Sequence, residues 1–508
     1  MRALLALTLL LITTNVSFAG EPSAAANLSN PIVPDDWQAL HHRWQKAMDE
    51  LHVPGLAVVA VRGDQVVLLD ALGVCDPEGK QQVTTRSPFY LASVTKSFTA
   101  LGVAILVEEG KVDLDAPVRT YLPKFTLTDP DKASTITVRD LLCHRYGLDS
   151  SPITMAEAYF GNIDDDRYYR LLALVEPGTF SYSNLHYTLA GRIIEAVSGK
   201  RWQDFLAERV FAPLGMQDAT CYASQLYANP LAAWPIVEQA GKWQRAPLVK
   251  NDAVMHAAGG MGSSAADLAN WLRFQLTGKT PDGRTLVSPA LLAEIHKQQA
   301  RDATTSRNPL GLPFTRDGYS LGWFTGAYRK RPLLEHGGGY IGTSTYVSFL
   351  PEENVGLAVL VNESTPNLGF TMAVAEDVYA KLLGETPVDA LPAIRQNAER
   401  IRARLDERPQ RDWQPPTATS GLSQPVEAYV GTYENPLWGT ARVKHEDDRL
   451  HVVVGTLPMR WNVLGEDRFE LEILPGDVTE GEFKVGDDRV EAFVVQTPMG
   501  AAEFRKTP

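Results

Sequence analysis

Hydrophobic and polar positions follow two different periods along this chain, and the switches between them mark out its elements. Apolar residues at helical spacing predict an amphipathic helix from about Trp37 to Leu51. The run Leu56-Ala57-Val58-Val59-Ala60-Val61, a Gly63-Asp64 turn and Val66-Val67-Leu68-Leu69 predict a tight hairpin. Around Ser93 the period returns to helical, with Val94, Phe98, Leu101, Ile105 and Leu106. That helix is apolar on nearly every side until Glu108-Glu109-Gly110, which predicts a position in the middle of a domain. From about 110 to 310 the pattern is helical, broken by loops rich in Pro and Gly. Thr343 to Leu350, the turn Pro351-Glu352-Glu353-Asn354 and Val355 to Val361 predict a second hairpin, closed by a helix from Gly369 to Leu383. Strands at both ends with helices between predict an α+β domain over 30–390, with one antiparallel sheet assembled from the two ends of that stretch.

Beyond it, 391–424 turns polar and reads as a short helix and a linker. The tail, 425–508, then repeats strand, acidic or Gly turn, strand. Arg442-Val443-Lys444 pairs with Leu450 to Val454, Trp461 to Leu464 with Phe469 to Leu474, and Phe483 to Val485 with Val490 to Val495. Successive hairpins without helices predict a small up-and-down antiparallel β-barrel.

A length of 508 residues agrees with more than one core. The formal net charge of -13 argues against nucleic acid as the partner. Arg2, the apolar run Ala3 to Ile12 and the small-x-small site Ser17-Phe18-Ala19 predict a signal peptide over 1–19. The run is too short to span a bilayer, so no stable membrane insertion is expected and the mature protein is read as periplasmic or secreted. Cys75, Cys143 and Cys221 form no disulfide framework; buried free thiols are expected rather than the one bridge an oxidising compartment allows.

Candidate chemistry begins with Ser93-Val94-Thr95-Lys96. Residues three apart share a helix face, so the Lys96 ammonium can reach the Ser93 hydroxyl. Free N–H groups at a helix start favour developing negative charge, and desolvation on an apolar helix lowers the lysine pKa towards that of a base. About one Ser-x-x-Lys is expected by chance in a chain of this length, so the motif gains weight only from its company. Tyr182-Ser183-Asn184 follows Pro177-Gly178 and precedes a helical run. Tyr182 supplies a phenol for proton relay; Asn184 supplies an amide to hold a substrate carbonyl or to orient Lys96. Third, His336-Gly337-Gly338-Gly339 precedes the second hairpin, where glycines let an edge strand approach a substrate with an N–H facing the oxyanion.

In this order the motifs resemble the serine hydrolase superfamily of class C β-lactamases, D-alanyl-D-alanine peptidases, D-aminopeptidases and β-lactamase-like esterases. The resemblance runs over about 37–385 and takes in Leu141-Leu142-Cys143-His144, Pro213-Leu214-Gly215-Met216, Gly259-Gly260-Met261-Gly262-Ser263-Ser264 and Tyr319-Ser320-Leu321-Gly322-Trp323. It implies a β-lactamase/transpeptidase-like domain with Ser93 as nucleophile, Lys96 and Tyr182 sharing the proton work, and Asn184 on the acyl side chain. His336, Gly338 and Gly339 would bind substrate, with the N–H groups of Ser93 and Gly339 as oxyanion hole. Which of Lys96 and Tyr182 is the base in each step stays open. The tail resembles the lipocalin-like barrel of some peptidase-type members.

One departure matters. Where β-lactamases of this group carry Lys-Thr-Gly, this chain has His336-Gly337-Gly338. Histidine is largely neutral at pH 7, so the anion site is weaker and β-lactams are disfavoured as main substrate. The resulting expectation is a hydrolase acting through an acyl-enzyme on a peptide, amide (including D-amino acid amides) or small ester. The alternative is a β-lactamase, or a penicillin-binding sensor that acylates without efficient turnover. There is no Gly-x-Ser-x-Gly elbow, no His-Glu-x-x-His and no paired Cys/His spacing. Asp164-Asp165-Asp166 reads as a solvated acidic loop. No metal or organic cofactor is implied.

Overall fold

The computed structural model describes residues 28, 30–161, 163–239, 241–302, 310–364, 367–406, 421–447, 449–475, 477–486, 489–497 and 500–507. The expected signal peptide and residues 407–420 of the expected linker lie outside them.

A 3-10 turn leads into helix α1 (Gln38–Leu51), followed by strands β1 (Gly55–Arg62) and β2 (Gln65–Gly73). Helices α2 (Thr95–Glu108), α3 (Asn184–Ser198) and α4 (Ala265–Thr277) lead to strands β3 (Ala300–Arg301), β4 (Phe314–Tyr319) and β5 (Phe324–Tyr328). Strands β6 (Arg331–Tyr340), β7 (Thr343–Leu350) and β8 (Val355–Val361) complete the sheet, and helices α5 (Asn367–Leu383) and α6 (Leu391–Asp406) follow.

The sheet has eight antiparallel strands in the order β2-β1-β8-β7-β6-β5-β4-β3. The register Val58↔Val359 in β1–β8 joins the two ends of the domain, as the hydrophobic pattern predicts. Alternation along β1 explains why almost every position is apolar. Ala57, Val59 and Val61 face the helices of the interior, while Leu56, Val58 and Ala60 face α1, α5 and α6. A strand covered on both faces shows no polar alternation. In this layer α5 is tied to α1 by Asp377, whose carboxylate accepts from Trp44 Nε1 at 3.0 Å and Arg43 Nε at 3.1 Å.

Helix α2 runs through the other layer with residues 95 to 106 all buried. Phe98 stacks on Trp271 of α4 at 3.8 Å between centroids, which anchors the helix that carries Lys96. Two strand pairs outside the sheet hold surrounding loops; one of them, Phe89–Tyr90 with Gly262–Ser263, leads directly into the turn of Ser93.

Three expectations are corrected. The glycine strand β6 is not an edge: it lies inside the sheet, but its pairing with β5 stops at Glu335↔Phe324 while that with β7 continues to Tyr340↔Thr343. Residues 336–340 therefore present one open flank. Helix α6 is 16 residues long rather than short and buries Ile394 and Ala398 against the α1 layer. The acidic triplet is a helix start: the Asp164 side chain accepts from Arg167 N, and Asp165 and Asp166 occupy the first turn, where negative charge suits the helix dipole.

The tail is a closed eight-stranded antiparallel barrel running from Gly431–Asn435 to Gly500–Lys506, with Tyr433↔Lys506 pairing first strand to last. Closure leaves no exposed sheet edge. Its core is aromatic, built on Tyr433, Trp461, Phe469, Phe483 and Phe493. All three cysteines are free and buried. No helix among the described residues is long and apolar enough to cross a membrane.

Candidate active site

The turn before α2 has a left-handed residue, Ala92 (φ 48°), directly ahead of Ser93. L-residues visit this region at a cost of roughly 1–2 kcal/mol, so the surroundings must hold the turn. They do: Leu91 N–H donates to Met261 O at 2.8 Å, and the Thr345 hydroxyl donates to Leu91 O at 3.0 Å. Ser93 emerges half-buried at the start of the helix, where N–H groups lack intrahelical partners.

Lys96, one turn on, is fully buried. Its Nζ lies 3.2 Å from Ser93 Oγ, 2.8 Å from Asn184 Oδ1 and 2.8 Å from the Ala258 carbonyl oxygen. Desolvation pushes its pKa well below that of an ordinary lysine. Two of the three partners are carbonyl oxygens, which only accept. A neutral amine therefore gives both its protons to Asn184 and Ala258 and keeps its lone pair for the Ser93 hydroxyl proton.

Tyr182 closes the cluster. Its loop is zipped to the preceding one by Gly178 N–H to Gly147 O (2.9 Å) and Ser181 N–H to His144 O (3.3 Å). Ser183 caps α3, accepting from Leu185 N, and so sets Asn184 on the first turn beside Lys96. The Tyr182 phenol reaches the Ser93 hydroxyl, its ring centroid is 4.7 Å from Lys96 Nζ, and 36% of the residue faces solvent. Burial among neighbouring rings pushes the phenol pKa above its usual value, so it is protonated at neutral pH.

Strand β6 bounds the opposite side. An added Cβ at Gly338 would come within 2.1 Å of Leu91 O, so only glycine lets the strand approach the Ser93 turn. Gly339 is exposed, and nothing lies within 4 Å of where its Cβ would be. Its position on the unpaired half of β6 leaves backbone groups directed at the cleft.

His336 and Gly338 do not fit direct substrate contact as expected from the motif. The His336 ring is buried: its Nδ1–H donates to Gly337 O at 2.8 Å and its Nε2 accepts from the Tyr319 hydroxyl at 3.0 Å. Burial holds it neutral, far below the usual histidine range. Gly338 faces the Leu91 carbonyl rather than the cleft. The cation on this side is Arg316, stacked 3.5 Å from the Phe324 ring and ion-paired to Glu335 at 2.5 Å. Phe324 in turn stacks on Tyr182, with 5.3 Å between centroids.

Sequence reasoning missed further members of the site. Beneath Tyr182 lie two buried histidines. His144 and His186 meet Nδ1 to Nδ1 at 3.0 Å, and His186 Nε2–H donates to Tyr146 O at 2.6 Å. Burial drives the His186 pKa down to about 4 and that of His144 well below its usual value. His144 and Tyr319 stand inside motifs quoted above; Ala258 precedes the Gly259-Gly260 pair, and its carbonyl carries no side-chain signature. Among the described residues no group of three or more His, Cys, Asp or Glu is arranged to hold a metal ion.

The family model described as Beta-lactamase matches residues 40–380, the stretch that contains every group of this cluster. The chain belongs to the beta-lactamase family. As a member it is an enzyme, a serine hydrolase related to the β-lactamases. It is similar to Penicillin-binding protein 4 of Amycolatopsis lactamdurans, 30% identical over 370 residues that make up 70% of this chain and 92% of that one. Unguisins hydrolase ungD' of Aspergillus campestris is 26% identical over 427 residues, 80% of this chain and 77% of that protein. The octameric penicillin-binding protein homologue from Pyrococcus abyssi shares the fold at a TM-score of 0.58 and 23% identity. That likeness covers 92% of this chain and 100% of that one, too much to leave the barrel out.

Proposed function

We propose that this protein hydrolyses a peptide, an amide (including one carrying a D-amino acid) or a small ester through an acyl-enzyme on Ser93. One observation carries the reading: a desolvated amine whose two protons are committed to carbonyl oxygens faces the serine hydroxyl. In acylation Lys96 takes the Ser93 proton as Oγ bonds to the substrate carbonyl carbon. The carbonyl π pair moves onto oxygen, towards the N–H groups of Ser93 and Gly339, an arrangement whose single donors contribute roughly 10²–10³ in rate. Collapse breaks the bond to the leaving group, which takes a proton from Tyr182; Lys96 then restores that of Tyr182. Water attacks the ester by the reverse relay, releasing the acid and returning the proton to Ser93.

The neutral, buried His336 supports amides and esters over β-lactams, because it offers no fixed cation for a substrate carboxylate. The name of the relative from Aspergillus campestris, a hydrolase, agrees with turnover. Penicillin-binding protein 4 keeps a second reading in view, acylation without release. The signal-like residues 1–19 support action in the periplasm or medium.

Ser93→Ala is expected to abolish turnover of p-nitrophenyl esters and D-amino acid amides, and labelling by a fluorophosphonate, with the fold intact. Full activity in that variant overturns the mechanism. Burst kinetics separates the two readings: steady product release means hydrolysis, and one equivalent followed by silence means a sensor.

A further inference from the structure

The barrel touches the catalytic part at a place that matters for substrate, and the contact can be traced residue by residue. Tyr182 stacks against Phe324 and lies 6.0 Å from the His336 ring, so the phenol stands at the His336 end of the open half of β6. A leaving group protonated by that phenol departs on the same side. The acyl part, across the reacting carbon, is then directed past Gly339 towards Tyr340. His336, Gly338 and Tyr340 alternate onto the face of β6 that meets the Ser93 turn.

Tyr340 does not stand alone there. Its ring lies edge-on to Tyr90 at 5.6 Å and stacks with Tyr159 at 6.0 Å and 23°. Lys250 Nζ sits 4.4 Å from the Tyr340 ring and 5.2 Å from that of Tyr159, and donates to the Ala158 carbonyl. Tyr159 belongs to a single π-helical turn, Ala156–Phe160, ended by Gly161 in the left-handed region (φ 63°). Such turns are rare and are found frequently at functional sites.

The barrel holds it. Phe160, next to Tyr159, packs in the barrel core, and its carbonyl accepts from Thr456 N–H at 2.6 Å. Asn251, next to Lys250, donates from Nδ2 to the Thr456 hydroxyl at 3.1 Å. One barrel residue thus grips the neighbours of both wall residues, from the turn between strands Arg449–Val454 and Leu457–Gly465.

We propose that the barrel sets acyl specificity by clamping Phe160 and Asn251, which fixes Tyr159 and Lys250 as the far wall of an aromatic acyl subsite beside Tyr340. The wall caps its length, so the substrates that fit carry short or flat apolar acyl groups. Phe160 is a positioning residue: it touches the barrel, not the substrate. The inference rests on the Ser93 reading above.

The test uses the full chain and p-nitrophenyl acetate, butyrate and octanoate. In Phe160→Ala the wall loses its grip. The octanoate kcat/KM is expected to rise roughly tenfold relative to acetate, the scale of a methylene or two in an apolar pocket. The change should appear in KM, with kcat for acetate within about twofold of wild type. Phe160→Leu should restore the short-chain preference, and Tyr159→Ala, which removes the wall itself, should shift the profile towards octanoate as Phe160→Ala does. Unchanged chain-length profiles in both alanine variants overturn the proposal, as does a parallel loss on every ester. If Phe160→Ala does not fold, Asn251→Ala, which removes the other half of the clamp, takes its place: an unchanged profile there overturns the proposal. Ester turnover that survives Ser93→Ala sinks the serine reading instead; Ser93-dependent turnover with a flat profile sinks only the barrel inference.

Discussion

Asn184 Oδ1 lies 2.8 Å from Lys96 Nζ and, with the Ala258 carbonyl, takes up the protons of a neutral amine. Both are uncharged, and none of the three groups within hydrogen-bonding distance of Nζ is a carboxylate. Asn184→Asp changes that without changing shape. A carboxylate at this distance favours the ammonium and typically moves a neighbour's pKa by about 1–3 units. Protonated Lys96 cannot accept the Ser93 proton, so the acid limb of the kcat/KM profile is expected to shift to higher pH. At pH 7 the rate should fall roughly 10- to 1000-fold, recovering as pH rises. A limb that stays in place would mean that Lys96 is not the base.

Tyr182→Phe separates packing from proton transfer. Phenylalanine keeps the stack on Phe324 and the ring beside Lys96, and removes only the hydroxyl. Loss of a positioned acid is expected to lower kcat by about 10²–10⁴, with KM nearly unchanged. Amides should suffer more than p-nitrophenyl esters, whose leaving group needs little protonation. Equal losses in kcat/KM, which reports acylation, would show that the phenol does not protonate the leaving group.

Gly338 and Gly339 are adjacent and should respond in opposite ways. Gly338→Ala drives a methyl into Leu91 O and must displace either β6 or the Ser93 turn. A loss of roughly 1–3 kcal/mol in stability and nearly all activity is expected. Gly339→Ala meets nothing within 4 Å and its backbone is not left-handed, so the melting temperature should hold. Its methyl points to the face of β6 opposite the Ser93 turn, so KM and kcat should change little. Thermal melts beside ester kinetics check both.

The hairpin 55–73 and the buried helix α2 were legible in the sequence because local periodicity decides them: both carry apolar runs with a clean turn or polar stop. Ser93, Lys96, Tyr182 and Asn184 were legible as motifs, and the structure brings them together. Strand β6 misled because its glycine half has no side chains to show alternation, and a partner that stops at Glu335 leaves no trace in the residues themselves. Helix α6 looked shorter because Arg395, Arg400, Arg402 and Arg404 surround its narrow apolar stripe; Arg402 in fact bonds back to the Leu51 carbonyl of α1. The His144–His186 pair and the Thr456 clamp join segments far apart in the chain, and no spacing rule reaches that distance.

The buried histidines are expected to make the protein acid-labile, and the sign follows from where the protons go. His186 is held down to about 4 from an ordinary 6.5, chiefly by burial, and His144 and His336 are lowered by the same cause. Between pH 6.5 and 4 the unfolded chain therefore binds protons on these rings that the folded protein refuses. Stability is fully present above 6.5 and drains away as pH falls through this window. His186 alone accounts for about 3 kcal/mol, the shift multiplied by roughly 1.4 kcal/mol per unit. In His186→Gln the amide still donates to Tyr146 O but cannot take up a proton. The variant is expected to melt lower than wild type at pH 7, where the pair with His144 is weakened, yet to lose less between pH 6.5 and 4. Parallel melting curves across that range would show that the ring is not the group whose protonation unfolds the site, and would move the acid sensitivity onto His144, His336 or the carboxylates instead.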